Sequence, residues 1–161
     1  MHIRFLLTIK SVCSIFVSTN MRTRVRAIII KDENIILIKR TKKDEIYFVF
    51  PGGGVEEGET EKEALVREIK EELGLDTEVK ELTTSRPLSR SNADQIEYFY
   101  LCDVIGGVLG TGNGPEFQEN SKSEYDGIHE VISIPLSEIS QLNLMPFEVR
   151  DLVVKMFSKT S

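Results

Sequence analysis

Residues 51–75 read Pro-Gly-Gly-Gly-Val-Glu-Glu-Gly-Glu-Thr-Glu-Lys-Glu-Ala-Leu-Val-Arg-Glu-Ile-Lys-Glu-Glu-Leu-Gly-Leu, turn glycines set against a run of carboxylates. The stretch predicts a loop feeding one helix. Thr60 and Glu63 have the spacing of a capping box, in which the Thr60 hydroxyl accepts from the Glu63 amide and the Glu63 carboxylate accepts from the Thr60 amide. Gly74 supplies the left-handed residue that closes a helix. Between them Leu65, Val66, Ile69 and Leu73 fall within about a third of the helix circumference, one apolar stripe for burial. Glu68, Glu71 and Glu72 sit beside that stripe.

The i, i+3 and i+4 spacings put those three carboxylates on one patch, where like-charge neighbours cost a few tenths of a kcal/mol per pair in a bare helix. A hard divalent cation offsets such repulsion, since Mg²⁺ takes one or two carboxylates, keeps several waters and completes its octahedron with substrate phosphate oxygens. Arg67, four residues before Glu71, has the reach to orient one of these glutamates or to return to Glu59 in the preceding loop. A Glu-rich helix is more often just a solvated face. Here the fixed glycines, arginine and apolar positions weigh against that reading.

Gly53, five residues, Glu59, seven residues, then Arg67-Glu68-Ile69-Lys70-Glu71-Glu72-Leu73-Gly74-Leu75 resembles the complete signature box of the Nudix hydrolases, with no departure from the pattern. Seven fixed residues at roughly one-in-fifteen usage each give a chance match on the order of 10⁻⁸ per window. The resemblance implies an α/β fold, a three-layer α/β/α sandwich with a mixed β-sheet. It implies hydrolysis of a nucleoside diphosphate linked to another group, with Mg²⁺ or Mn²⁺ on box glutamates. Carried over residue by residue, the metal ligands are Glu68 and Glu72, with Glu71 either ligand or base and the backbone carbonyl of Gly53 a further ligand. Glu71, Glu72 and Arg67 form the catalytic set, while Gly52 and Gly53 let backbone come close to substrate. In this family the general base comes from the box or from a glutamate on a distal loop, which leaves Glu71, Glu116, Glu119 and Glu124 open.

A chain of 161 residues with 40% apolar and 29% charged residues suits one soluble domain with a genuine core. The net charge of −6 argues against a nucleic acid gripped over a wide basic face. A small phosphorylated substrate held through metal remains compatible, as does a homodimer. Two cysteines, Cys13 and Cys102, are too few for a disulfide framework or a zinc site, and Cys102 reads as a small buried residue. No run approaches the ~18 consecutive apolar residues of a membrane span. Residues 1–20 are apolar with early basic residues, but Lys10 interrupts them and no small-residue cleavage site follows, so they read as an extension outside the fold. The domain is assigned to residues 21–161 and the location to the cytoplasm.

Along that domain, residues 21–30 and Ile35 to Arg40 form a hairpin around Lys31-Asp32-Glu33-Asn34, and Ile46 to Phe50 is a further strand ended by Pro51. After the box helix, Thr77 to Thr83 and Ile96 to Ile105 are strands, with the polar segment Thr84 to Asp94 expected as a loop carrying Arg86 and Arg90. Residues 106–126 are a long irregular stretch. Ile128 to Ile134 is a strand, Leu136 to Leu142 a short helical segment, and Pro146 opens a last helix with Val149, Leu152, Val153, Met156 and Phe157 on its apolar face.

Substrate identity is thinly written. Arg40, at the end of the second strand, resembles the arginine that contacts substrate in related nucleotide-cleaning members. The chain has no tryptophan, and Ser133 stands where many family members have one, so base recognition falls to Tyr47, Phe48, Phe117 or Tyr125. No NADH-type sequence follows the box and no coenzyme-A-type sequence precedes it. That leaves a nucleoside triphosphate, oxidised forms included, split to monophosphate and pyrophosphate, ahead of ADP-ribose and dinucleoside polyphosphates. A non-catalytic nucleotide-sensing module is the reading from another class, and its usual mark, a broken box, is missing.

Overall fold

The computed structural model describes residues 22–90, 93–114 and 128–157, with backbone alone at 89, 90, 93 and 94. In chain order these form β1 (Arg22–Lys31), β2 (Asn34–Lys42), β3 (Glu45–Val49), α1 (Glu61–Leu73), β4 (Leu75–Arg90), β5 (Ala93–Gly107), β6 (Ile128–Pro135), a 3-10 helix (Leu136–Gln141), β7 (Leu144–Met145) and α2 (Phe147–Phe157). The strands make one mixed sheet in the order β4-β5-β1-β2-β3-β7, with β6 on the other edge of β2.

β1 decides how this sheet opens. It runs parallel to β5 from Arg22↔Gln95 to Ile29↔Cys102, but meets β2 only at Ile30↔Ile35 and Lys31↔Asn34. The hairpin between them turns on Asp32 and Glu33, both left-handed at φ 51° and 62°, as a two-residue turn matched to strand twist requires. Beyond that turn β1 and β2 part, and the segment after β3 fills the opening. Ala27 N donates to Pro51 O (2.8 Å), Val25 N to Gly53 O (2.9 Å) and Val55 N to Thr23 O (3.0 Å). The glycine loop is thereby fixed along the edge of the central strand.

Period-two alternation gives the sheet two apolar faces. Val25, Ala27, Ile29, Ile36 and Ile38 pack against Ala64, Leu65, Ile69 and Leu73 of α1. Ile28, Ile35, Leu37, Phe50 and Phe99 pack against Ile139, Leu144, and Val149 and Val153 of α2. The result is the expected three-layer α/β/α arrangement. Phe50 and Phe99 meet edge to face, centroids 5.5 Å apart, in the α2 layer. Among the described residues no helix is long and apolar enough to cross a membrane.

Three expectations change. The segment Thr84 to Asp94 is not a loop: β4 continues to Arg90, paired in register with β5 from Thr84↔Phe99 to Arg90↔Ala93. β4 is an edge strand, so Pro87 sits opposite Ile96 without breaking a central ladder, and polar residues there lose nothing to burial. Val66 is 39% exposed, while Ala64 joins the buried stripe, because Val66 is turned about 100° from Leu65 toward the outer side of α1. Phe48 lies against the α2 core and is therefore withdrawn from base recognition. Glu116, Phe117, Glu119, Glu124, Tyr125 and the 1–20 extension fall outside the described residues.

Candidate active site

The box helix forms as its local signals require. Thr60 N donates to Glu63 Oε2 (2.9 Å) and Glu63 N to Thr60 Oγ1 (3.3 Å), while Gly74, at φ 76°, donates to Lys70 O (3.0 Å). With its ends fixed, α1 presents Glu68 and Glu72 to the glycine loop across the opening in the sheet. Gly52 N donates to Glu72 Oε2 at 2.7 Å, and Glu72 is only 4% exposed. A Cβ on Gly53 would meet Glu68 Oε1 at 2.2 Å and Oε2 at 2.6 Å, so the carboxylate occupies the space a side chain would take. Gly52, at φ 129°, is in a conformation side chains rarely adopt, and a Cβ there would strike Val25 O at 2.2 Å. Backbone thus excludes a side chain at Gly52, while at Gly53 a side chain would displace the Glu68 carboxylate.

Arg67 ties the acidic patch together. Its Nε and Nη2 donate to the two oxygens of Glu59 (2.7 and 3.0 Å), Nη1 donates to Glu68 Oε1 (3.1 Å) and lies 3.5 Å from Glu71 Oε2, and Nη2 also donates to Gly54 O (3.1 Å). Both roles expected of Arg67 are present at once. This planar fork on Glu59 is geometry that lysine does not reproduce. The arginine, helped by the Glu56 N–H, holds the Glu59 carboxyl below its usual range, and Glu59 and Glu68 push the guanidinium well above its own. Part of the repulsion among the helix carboxylates is thus relieved within the protein.

The donor set suits Mg²⁺ or Mn²⁺ in a particular way. Among the described residues no three carboxylate, imidazole or thiolate side chains are gathered into a cage. Glu71 is the outlying one, its side chain 42% exposed against 16% for Glu68. Two carboxylates set against a backbone loop match a cation that relies on water and substrate phosphates for its remaining ligands. The Gly53 carbonyl already accepts from Val25 N, which leaves one lone pair.

Arg40 lies on the same sheet face as Ile36 and Ile38, opposite Tyr47 of β3 and His129 of β6, so that the three residues form one row across the strands. Its Nε is buried with no hydrogen-bond partner among the described residues. Ser133 lies opposite Ile36 in the same ladder. Arg86 is ion-paired with Glu148 of α2 at 3.1 Å, and the Arg90 side chain is outside the described set. Cys102 is buried in the α1 core, where loss of hydration pushes its thiol up to about 12.

One feature escaped the sequence. Arg26, in phase with Ile28 on the α2 face, is 9% exposed and donates from Nε to Glu97 Oε1 at 2.8 Å, with Glu97 5% exposed. Its Nη1 donates to Phe50 O (3.3 Å) and, in a short contact, to Gly52 O. The available signal was Arg26 standing between Val25 and Ala27, in phase with Ile28 and Ile30 where β1 turns apolar.

Comparison with known proteins gives the family of the chain. The model of the NUDIX domain matches residues 21–148. The chain is 47% identical over 92 residues to an ADP-ribose pyrophosphatase of Methanocaldococcus jannaschii, covering 55% of this chain and 54% of that protein. It is 31% identical over 113 residues to an 8-oxo-dGDP phosphatase of Mus musculus, covering 69% of this chain and 33% of that one. The chain thus spans about half or less of these curated relatives. The solution structure of the E. coli ORF135 protein superposes with a TM-score of 0.62 at 28% identity, over 87% of this chain and 91% of that one.

Proposed function

That the chain belongs to the Nudix domain family is the premise from which we propose that it is a divalent-metal-dependent pyrophosphohydrolase, cleaving the phosphoanhydride of a nucleoside diphosphate linked to another group. The observation that carries this reading is the join between loop and helix: Gly52 N on Glu72, and Glu68 in the space a Gly53 side chain would take. That join sets two carboxylates, one helical turn apart, against the backbone of the glycine loop.

In this reading Glu68 and Glu72 hold the cation, with the remaining lone pair of the Gly53 carbonyl beside them. When bound, Mg²⁺ or Mn²⁺ neutralises the diphosphate and makes a nearby water more acidic. Arg67 keeps Glu59, Glu68 and Glu71 at fixed separations. Glu71, the most exposed of the three helix carboxylates, accepts the proton of the attacking water. The water oxygen bonds to one phosphorus, the bond from that phosphorus to the bridging oxygen breaks, and the leaving phosphate carries off the electron pair. Because there is little covalent work for the protein to do, positioning and charge supply most of the acceleration.

The nucleoside end falls to the row Tyr47–Arg40–His129, where Arg40 Nε, without a partner among the described residues, is a donor for a substrate acceptor. We read the substrate as a nucleoside triphosphate, from the absence of the longer subfamily motifs. A second reading, ADP-ribose, is favoured by the 47% identity to the archaeal ADP-ribose pyrophosphatase. A panel of canonical and oxidised nucleoside triphosphates, ADP-ribose and dinucleoside polyphosphates, with products resolved by chromatography, separates them. Monophosphate plus pyrophosphate supports the first, and AMP plus ribose 5-phosphate the second. Binding of a nucleotide without turnover of any panel member overturns both in favour of a sensor.

A further inference from the structure

We propose that the buried Arg26–Glu97 pair is a positioning clamp for the metal-binding carboxylate Glu72, acting through the Gly52 backbone from the opposite face of the sheet. The inference rests on the hydrolase reading above for the role of Glu72, and on the following geometry for the clamp itself.

Glu72 accepts from the loop at the Gly52 N–H, 2.7 Å away. That N–H is held only as well as Gly52 is, and Gly52 has no Cβ to restrict it at φ 129°. Its conformation is set instead by hydrogen bonds to neighbouring carbonyls. Val25 N takes Gly53 O and Ala27 N takes Pro51 O, both from the backbone of β1. The alternate carbonyls, Phe50 O and Gly52 O, turn to the other face, where Arg26 takes both. Consecutive residues 25–27 thus grip four consecutive carbonyls, and Arg26 is the only side chain among the three to do so.

Arg26 is in turn aimed by Glu97, whose carboxylate accepts from its Nε and leaves Nη1 facing the loop. The energetics point away from a stabilising purpose. Both side chains are nearly excluded from water, and taking two charges out of water commonly costs as much as or more than their attraction returns. A well-packed apolar pair would serve the fold as well. What an apolar pair would not supply is a donor for the Gly52 carbonyl. Hydrogen-bonded groups behind a ligating residue typically tune metal affinity by 10–100-fold.

The test compares the full chain with Arg26→Met/Glu97→Leu, which removes both charges and keeps apolar volume. The exposed pair Lys39→Met/Glu130→Leu, 2.7 Å apart in the parent, is the control. Three quantities are read: melting temperature, Mn²⁺ dissociation constant by electron paramagnetic resonance, and the Gly52 amide by ¹H–¹⁵N NMR without metal. The clamp predicts a folded core variant with Mn²⁺ affinity weakened about 10–100-fold and the Gly52 amide proton moved upfield and exchanging faster, with the control unchanged. A folded core variant with parental Mn²⁺ affinity and Gly52 amide overturns it. Should the double variant not fold, Arg26→Lys, which keeps charge toward Glu97 but not the guanidinium fork, is held to the same two readouts. If the parent itself binds no Mn²⁺, the hydrolase reading fails instead, and the Gly52 amide alone decides whether Arg26 sets that peptide.

Discussion

Replacing Gly53 by alanine separates function from stability. A Cβ there lands 2.2 Å from Glu68 Oε1, 2.4 Å from Cδ and 2.6 Å from Oε2, so the whole carboxylate must retreat. Reaching ordinary contact moves it by more than about 1 Å. Glu68 is the far end of a flexible side chain, and Gly53 does not have the left-handed φ that its neighbour Gly52 has, so the native fold gives way easily. A displacement of about 1 Å in a reacting constellation costs on the order of 10²-fold in rate, or about 2.7 kcal/mol of barrier. The neighbouring glycine is the control, since a Cβ on Gly54 meets nothing within 4 Å. We therefore expect Gly53→Ala to melt within a few degrees of the parent while losing about 10²-fold in kcat/KM with Mg²⁺, and Gly54→Ala to retain near-parental rates. The assay is initial-rate hydrolysis of the best panel substrate beside thermal melting. Equal activity of the two variants would refute the reasoning, as would a loss in Gly53→Ala fully matched by unfolding.

Three further outcomes follow from the same contacts. Glu72→Gln keeps an acceptor for the Gly52 N–H but removes the charge, so kcat should fall by several orders of magnitude while the melting temperature changes little, measured by steady-state kinetics and calorimetry. Because Glu59 has its folded pKa depressed by Arg67, its contribution to stability is present above the ordinary carboxylate value of 4.5 and is lost as pH falls through the folded value. The melting-temperature gap between parent and Glu59→Gln should therefore be widest at neutral pH and close as pH falls from 4.5 through the lower folded value, and a gap that widens on acidification would contradict the assignment. Thr60→Ala removes the cap at the start of α1 and should cost about 1 kcal/mol in urea unfolding, with activity at 25 °C unchanged.

What could be read from the chain was what is encoded locally. The capping box, the closing Gly74, the two-residue turn at Asp32-Glu33 and the reach of Arg67 to Glu59, 8 positions away, all depend on residues close in sequence, and all are found as the spacing implies. The long β4–β5 hairpin was hidden because an edge strand needs little apolar alternation and tolerates Pro87. Phe48 and Val66 were misplaced because their environments depend on which side of the element the rest of the fold covers. The Arg26–Glu97 pair joins residues 71 apart, and no local pattern announces a charge whose partner lies on another strand. Arg40 could be named from the end of its strand, but only the register places Tyr47 and His129 on either side of it.

The central claim is that carboxylates gripped by the glycine loop support attack of water on a phosphoanhydride. Its most direct test is turnover of the best panel substrate in ¹⁸O-labelled water, followed by mass spectrometry, for the parent with Mg²⁺, the parent with EDTA, and Glu72→Gln with Mg²⁺. We predict one ¹⁸O in a single phosphate product of the Mg²⁺ reaction, no product with EDTA until Mg²⁺ is restored, and almost none from Glu72→Gln. Undiminished turnover in EDTA, or a Glu72→Gln enzyme as fast as the parent, would contradict the account.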